Sequence, residues 1–458
     1  MINSNRKFTI FYFLLSIYLL LNSCEQKRKT GSEYGKHEIE KKQELPQTGR
    51  VYSRSTPNGS YGLFIPNSIT GNERLPAILF LDPHGDGTFP LNKYKSLAEK
   101  YKFILVGSNE SKNGLNFEQV NQIVSLLLQE CITNLQCDPN RITLAGFSGG
   151  AKAALYGGNA IPGFNGIIYC GAAFPPGSIE VKIPLFGIAG KKDMNYTEVR
   201  NFSSSLDARD FPHQLIEWNG KHEWPDTVTF QHTFYWAMLN DIRKKNVAVN
   251  AELFADFEKI IQESLIYNTN PLDKELILQE AIGMFNQLKS ITAYQKKLTL
   301  LKKSADYNKA KINQEKILQN EDKLKQLYGN SFFDKDWSWW KKEVKLLTID
   351  KNNSSNQRIL GYISLAAWTY SSRAVSENNF ILAKKVLDIY KLADPENPEH
   401  EFLNARLFAK NSSPDSAVAY LKKAIDLGLA NIGKIENEND LINLHSRSDY
   451  KELINSLQ

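Results

Sequence analysis

Between positions 49 and 244 the chain alternates short, continuously apolar runs with longer amphipathic stretches. The runs at 61–65, 77–81, 103–106, 142–145, 166–170, 184–188 and 214–218 are four or five residues long and rich in Ile, Leu, Val, Phe and Tyr. That length and composition predict strands, not helices. Between them, 117–135 places Val120, Ile123, Leu127 and Cys131 on one helical face. Strands that are apolar throughout are covered on both faces, which calls for a mostly parallel sheet between helices. The fold class expected here is α/β. In such sheets ligands bind at the carboxyl ends of the strands, so the loops there carry the chemical information.

Beyond 245 Gly and Pro thin out and helical periodicity runs to the end of the chain. Within 349–458 a spacing recurs. Ala383, Leu387 and Tyr390 are followed by Pro395, and Ala417, Leu421 and Ala424 repeat the first three. The offset from Ala383 to Ala417 and the small residues resemble a tetratricopeptide repeat, whose period is about 34 residues. Two units are readable, and such stacks need about three, so the helical region 245–348 is expected to complete the stack. An all-α helical-repeat domain is therefore expected after the sheet. A concave surface for a protein partner and a buttress on the sheet domain are both open readings of it.

The amino-terminal pattern reads as an address. Arg6 and Lys7 precede a nearly unbroken apolar run at 8–21. As helix this would span about 21 Å, against the ~30 Å of a bilayer core. A basic start and a short apolar run followed by a small residue describe a secretory signal, assigned to 1–23. Leu21-Asn22-Ser23-Cys24 resembles a bacterial lipobox, which implies lipidation at Cys24. The polar stretch 24–48 then reads as a flexible tether. The expected location is an exported, membrane-anchored lipoprotein of the bacterial cell envelope.

Composition narrows the classes. Of 458 residues, 42% are hydrophobic and 23% charged, which excludes wholesale disorder and a multi-span membrane protein. A net charge of +6 is too small at this length to argue a nucleic-acid partner. Nearly all of that excess sits in one segment, where Lys296, Lys297, Lys302, Lys303, Lys309, Lys311, Lys316, Lys323 and Lys325 face only Asp306, Glu315, Glu321 and Asp322. The segment reads as the solvated face of a long helix, with an anionic surface as the alternative. Trp337, Trp339 and Trp340 read as helix-packing aromatics, not as a sugar-stacking platform. The four cysteines contain no CxxC pair, so no metal site and no cofactor is expected. Cys170 reads as buried, and pairing of Cys131 with Cys137 stays open.

The strongest chemical signal follows the run 142–145. Gly146-Phe147-Ser148-Gly149-Gly150 is G-x-S-x-G, entered from a strand and left into the helix formers Ala151 to Leu155. In that setting the turn strains the backbone and projects the Ser148 hydroxyl above the sheet. A serine needs a base, and the base must itself be oriented. In strand order, Asp193 follows the run 184–188 and His222 follows 214–218, with room for one helix and one strand between them. The candidate set is therefore Ser148 as nucleophile, Asp193 as acid and His222 as base. A tetrahedral intermediate also requires backbone N–H donors. Gly149 supplies one, and the turn Asp82-Pro83-His84-Gly85-Asp86-Gly87 supplies the second through Gly85 or Asp86.

These motifs resemble those of α/β-hydrolases, in the branch of secreted esterases, polyhydroxyalkanoate depolymerases and feruloyl esterases. The likeness rests on Asp138-Pro139-Asn140-Arg141-Ile142 leading into Gly146–Gly150 and on Gly220-Lys221-His222-Glu223-Trp224-Pro225. It covers 49 to about 242, under half of the chain. The resemblance implies a Ser-His-Asp carboxylesterase acting through an acyl-enzyme on a small-molecule or glycan-borne acyl ester. The connection between the runs 166–170 and 184–188 is too short for an inserted lid, which argues against a true lipase. A serine peptidase of the same fold stays open, as does a catalytically idle hydrolase domain on a repeat-based interaction protein.

Overall fold

The structure is a computed structural model that describes residues 47–68, 73–209, 211–350 and 352–457. The signal segment, Cys24 and most of the tether lie outside the described residues. No helix among the described residues is long and apolar enough to cross a membrane. The chain forms two compact units: one runs through Gly190 and resumes over Asn195–Ala310, and the other comprises Lys191–Met194 and Lys311–Gln458.

The first unit is built on eight strands: β1 (Tyr52–Thr56), β2 (Gly59–Phe64), β3 (Leu75–Leu81), β4 (Ile104–Ser108), β5 (Cys137–Phe147), β6 (Gly166–Cys170), β7 (Leu185–Gly190) and β8 (His213–Trp218). Their order across the sheet is β1-β2-β4-β3-β5-β6-β7-β8. β1 and β2 form an antiparallel edge, and every pairing from β4 to β8 is parallel. Every residue of β3, β4, β6 and β7 is buried, as expected for parallel strands covered on both faces. Crossovers are made by α1 (Thr88–Tyr101), α2 (Phe117–Thr133), α3 (Gly149–Ala160) and α4 (Tyr196–Asp207), with α5 (Thr227–Arg243) after β8. All seven strands expected from the sequence are present. The eighth, β1, YSRST, was not expected, because its half-exposed alternation carries no apolar run.

The chain leaves β3 toward β4 and then returns across β3 to β5. That reversal is the topological switch point, and it opens a crevice at the carboxyl ends of β3 and β5. Leu81 pairs with Gly146 and Phe147 with Cys170, so the turn after β3 and the turn after β5 emerge side by side. Arg141 in β5 is held by the buried Asp241 of α5, with Nε to Oδ2 at 2.8 Å, while Asn165 donates to Oδ1 at 2.6 Å.

Three further helices belong to this unit: α6 (Ala251–Tyr267), α7 (Pro271–Phe285) and α8 (Thr292–Lys303). Phe257, Ile261, Met284 and Phe285 share one apolar core with Phe103, Phe234 and Trp236 of the sheet domain. The unit that holds the sheet thus runs on past 244 to Ala310. His232 of α5 meets Glu280 of α7 at 2.6 Å, an ion pair inside that core.

The second unit contains the C-terminal part of α9 (Ala305–Asp334), then α10 (Trp337–Thr348), α11 (Ser354–Ser376), α12 (Phe380–Ala393), α13 (Glu399–Lys410) and α14 (Pro414–Asp426). Short α15 (Ile432–Glu436), a 3-10 turn (Asn439–Leu444) and α16 (Ser448–Asn455) follow. Ala383 and Ala417 are fully buried, as are Leu387 and Leu421, one pair on α12 and the other on α14. Small residues at those positions let the paired helices approach closely. Trp340 is fully buried against Tyr328 and Phe332, whereas Trp337 stays 45% exposed. The lysine-rich segment is divided between α8 and α9 at Ser304 and is not a single helix. Eight of its nine lysines are exposed. Lys325 departs from the solvated-face expectation, because it is buried.

Candidate active site

The elbow between β5 and α3 gives Ser148 φ 52° and ψ −122°, a conformation that L side chains avoid and that persists only where surroundings enforce it. Here the Ser148 N–H donates to the Cys170 carbonyl at 2.9 Å, and the Ser148 carbonyl accepts from Ala151 N–H at 3.0 Å. The flanking glycines are required by approach. A Cβ on Gly146 would strike the carbonyl of Gly150, and one on Gly150 would strike the carbonyl of Leu81. G-x-S-x-G is therefore the sequence that lets the elbow sit against β3. The start of α3 places its first N–H groups, with their partial positive charge, directly after Ser148.

His222 lies in the loop between β8 and α5, and its Nε2 is 2.8 Å from the Ser148 Oγ. The imidazole also rests against the Phe147 ring, with centroids 4.8 Å apart. Ser148 and His222, separated by 74 residues in sequence, thus meet at hydrogen-bond distance. The loop is anchored from beneath. Trp224 is buried against Phe80, Tyr94 and Phe147, and its indole N–H donates to Asp82 Oδ2 at 2.8 Å. Tyr94 Oη donates to the Pro225 carbonyl and Lys93 Nζ to the Trp224 carbonyl, both at 2.7 Å. Burial pushes the Tyr94 phenol well above its ordinary pKa, so it stays a neutral donor. Asp82, Trp224, Tyr94 and Lys93 were not foreseen from the sequence; a tryptophan in a loop has no periodicity to announce its role.

The turn after β3 holds the two expected oxyanion candidates. Asp82 Oδ1 accepts from His84 N–H at 2.8 Å, Asn109 Oδ1 accepts from Gly87 N–H at 2.9 Å, and Gly85 N–H points to the Asp82 carbonyl at 3.4 Å. Gly85 takes φ +75°, which glycine adopts without strain. The Asp86 carboxylate is turned to the start of α1, accepting from Thr88 N–H at 3.0 Å, Thr88 Oγ1 at 2.7 Å and Phe89 N–H at 3.1 Å. Its charge is thus satisfied at a helix start. A Cβ on Gly149 would meet the side-chain amide of Asn113, a polar neighbour that the sequence pattern did not single out.

Asp193 sits three residues past β7 and is buried, with 1% of its surface exposed. It belongs to the segment Lys191–Met194, which groups with the second unit. The connection 171–184 between β6 and β7 contains no helix or strand, as its length required. Cys131, Cys137 and Cys170 are all free and buried, and burial raises the Cys131 thiol well above its ordinary pKa, the neighbouring Cys137 adding to the shift. A separate cleft of about 370 Å³, lined by Arg54, Tyr61, Glu110 and Glu130 among others, contains none of the site residues.

No family model matches the chain, and no curated protein matches it. Among solved structures, part of the chain is similar to a Staphylococcus aureus fluorophosphonate-binding serine hydrolase, with TM-score 0.33 and 14% identity over 42% of this chain and 99% of that one. Esterase B of Lactobacillus rhamnosis is similar with TM-score 0.36 and 14% identity over 43% of this chain and 90% of its own. A Mycobacterium tuberculosis puromycin-hydrolyzing peptidase is similar with TM-score 0.33 and 11% identity, over 42% of this chain and 40% of its own.

Proposed function

We propose that the chain is a serine hydrolase that cleaves carboxylic esters through an acyl-enzyme. The observation that carries this reading is His222 Nε2 at 2.8 Å from the Ser148 Oγ, on an elbow strained at Ser148. His222 removes the hydroxyl proton as Ser148 attacks the acyl carbonyl, and the same proton passes to the departing alcohol. Water activated by His222 then attacks the acyl-enzyme and regenerates Ser148. The Gly149 N–H and an N–H of the Gly85–Asp86 turn are assigned as the donors to the developing oxyanion. Asp193 is assigned as the acid that orients the imidazole, from its place after β7, ahead of β8 and His222, and from its burial.

The absence of an inserted element in 171–184 favours acyl groups presented on a larger body, such as an acylated glycan, over long lipid chains. With the amino-terminal lipobox pattern, the reading extends to an enzyme held on the envelope by Cys24. The repeat-like helices of the second unit are read as a tetratricopeptide-type stack. A chain-length series of p-nitrophenyl esters and a matched anilide test the substrate class. Acetate and butyrate esters turned over well above the laurate ester and the anilide is the expected result. Faster anilide cleavage would move the assignment to a peptidase, and equal turnover of laurate would remove the argument against lipids.

A further inference from the structure

The four residues Lys191–Met194, which carry Asp193, are gripped at both ends by buried charges of the helical unit. At one end the Lys191 carbonyl accepts from Arg358 Nη1 of α11. At the other the Met194 carbonyl accepts from Lys325 Nζ of α9 at 3.0 Å. Both cations are nearly inaccessible, at 5% and 8% exposure, and Glu321 is fully buried. Arg358 directs its Nε and Nη2 at the two carboxylate oxygens of Glu321 in a forked pair, which leaves Nη1 aimed at the Lys191 carbonyl. Glu321 and Lys325 are four residues apart on α9, hence on one face. Arg358 and Gly361 are three apart on α11, and a Cβ on Gly361 would sit 3.4 Å from the Met194 side chain.

Burying an ion pair costs more desolvation than it returns unless further groups use it. Here the further groups are two main-chain carbonyls on either side of Asp193. Burial lowers the pKa of the Lys325 ammonium; Glu321, Asp322 and Asp193 act in the opposite direction. The Asp193 carboxylate thus lies within electrostatic reach of Lys325.

We propose that Arg358 and Lys325, with Glu321 fixing Arg358, are positioning residues for the catalytic acid, setting the conformation of the segment Lys191–Met194 that carries Asp193. This rests on the serine-hydrolase reading and extends it to the side chains that hold the segment carrying the acid.

The test uses the full chain and two variants, Lys325→Met and the charge-neutral pair Arg358→Met with Glu321→Gln, each also combined with Asp193→Asn. p-Nitrophenyl acetate turnover, the rate of fluorophosphonate labelling and the thermal midpoint are measured for all. Each variant is expected to lose about tenfold to a hundredfold in kcat, the range for an ångström-scale misplacement, with KM changed by less than about threefold. In the Asp193→Asn background, itself down about ten-thousand-fold, neither variant should cost anything further, because both act through the carboxylate. Losses that multiply in full with Asp193→Asn, or wild-type rates in folded variants, overturn the positioning role. Lys325→Met removes one side chain-to-carbonyl bond, and it decides the matter if the paired variant fails to fold. Wild type that neither turns over ester nor takes the label overturns the underlying reading instead.

Discussion

Trp224 donates its indole N–H to Asp82 Oδ2 at 2.8 Å, which joins the loop that carries His222 to the turn that follows β3. The same carboxylate fixes that turn through His84 N–H. One buried aspartate therefore couples the His222 loop to the turn that carries Gly85 and Asp86. Trp224→Phe keeps the ring packing against Phe80 and Phe147 but leaves Asp82 short of a partner. It should destabilise the first unit by about 1–3 kcal/mol, the cost of a buried group left unsatisfied. kcat should fall more than KM rises. Denaturant unfolding and steady-state kinetics on the same preparation check both parts.

The strained elbow makes a second prediction, opposite in sign for stability and activity. Ser148 holds φ 52°, where glycine is unstrained. Ser148→Gly should abolish turnover while stabilising the fold by about 1 kcal/mol, since strain of roughly 1–3 kcal/mol is relieved against glycine's larger loss of chain entropy. Ser148→Ala should abolish turnover without that gain. Thermal midpoints of the three proteins decide it.

The ion pair of His232 and Glu280 sets a pH dependence. Burial alone would depress the His232 pKa, but the Glu280 carboxylate outweighs it and the net shift is upward, with Asp226 adding to it. A histidine whose folded pKa is raised contributes stability that is complete below its unfolded value of about 6.5 and is lost as pH rises through the folded value. The stability difference between wild type and His232→Gln should be largest near pH 5.5 and shrink above neutrality. A difference that grows with pH would contradict the sign.

Phe257 gives a test of how far the first unit reaches. It is fully buried in one core with Tyr235 and Phe285. Phe257→Ala should cost about 3–5 kcal/mol and lower the unfolding midpoint of the sheet itself, followed by tryptophan fluorescence from Trp224 and Trp236. Unfolding confined to the helices would show that α6 to α8 are not part of the sheet's core.

What the sequence disclosed follows from what each kind of residue can signal. Parallel strands are apolar along their whole length, so β2 to β8 were readable, whereas β1, half-exposed at the sheet edge, was not. The Gly146–Gly150 elbow and the places of Asp193 after β7 and His222 after β8 were readable because backbone approach and strand order restrict those positions. The reach of the first unit to Ala310 was not, since amphipathic periodicity in α6 to α8 marks an apolar face without naming the surface it covers. Lys325 was read with its neighbours as solvated, because a charge count along a helix does not distinguish its faces. The meeting of Asp82 with Trp224 gave no signal, as it joins positions 142 residues apart.

The central claim is that Ser148 is a nucleophile activated by His222. Its most direct test is the intact mass of the protein after a fluorophosphonate probe, followed by peptide mapping. The account predicts one probe per chain on Ser148, no adduct on Ser148→Ala, and labelling of His222→Gln slowed by at least about a thousandfold. Equal labelling of Ser148→Ala, or an adduct on another residue, would contradict it.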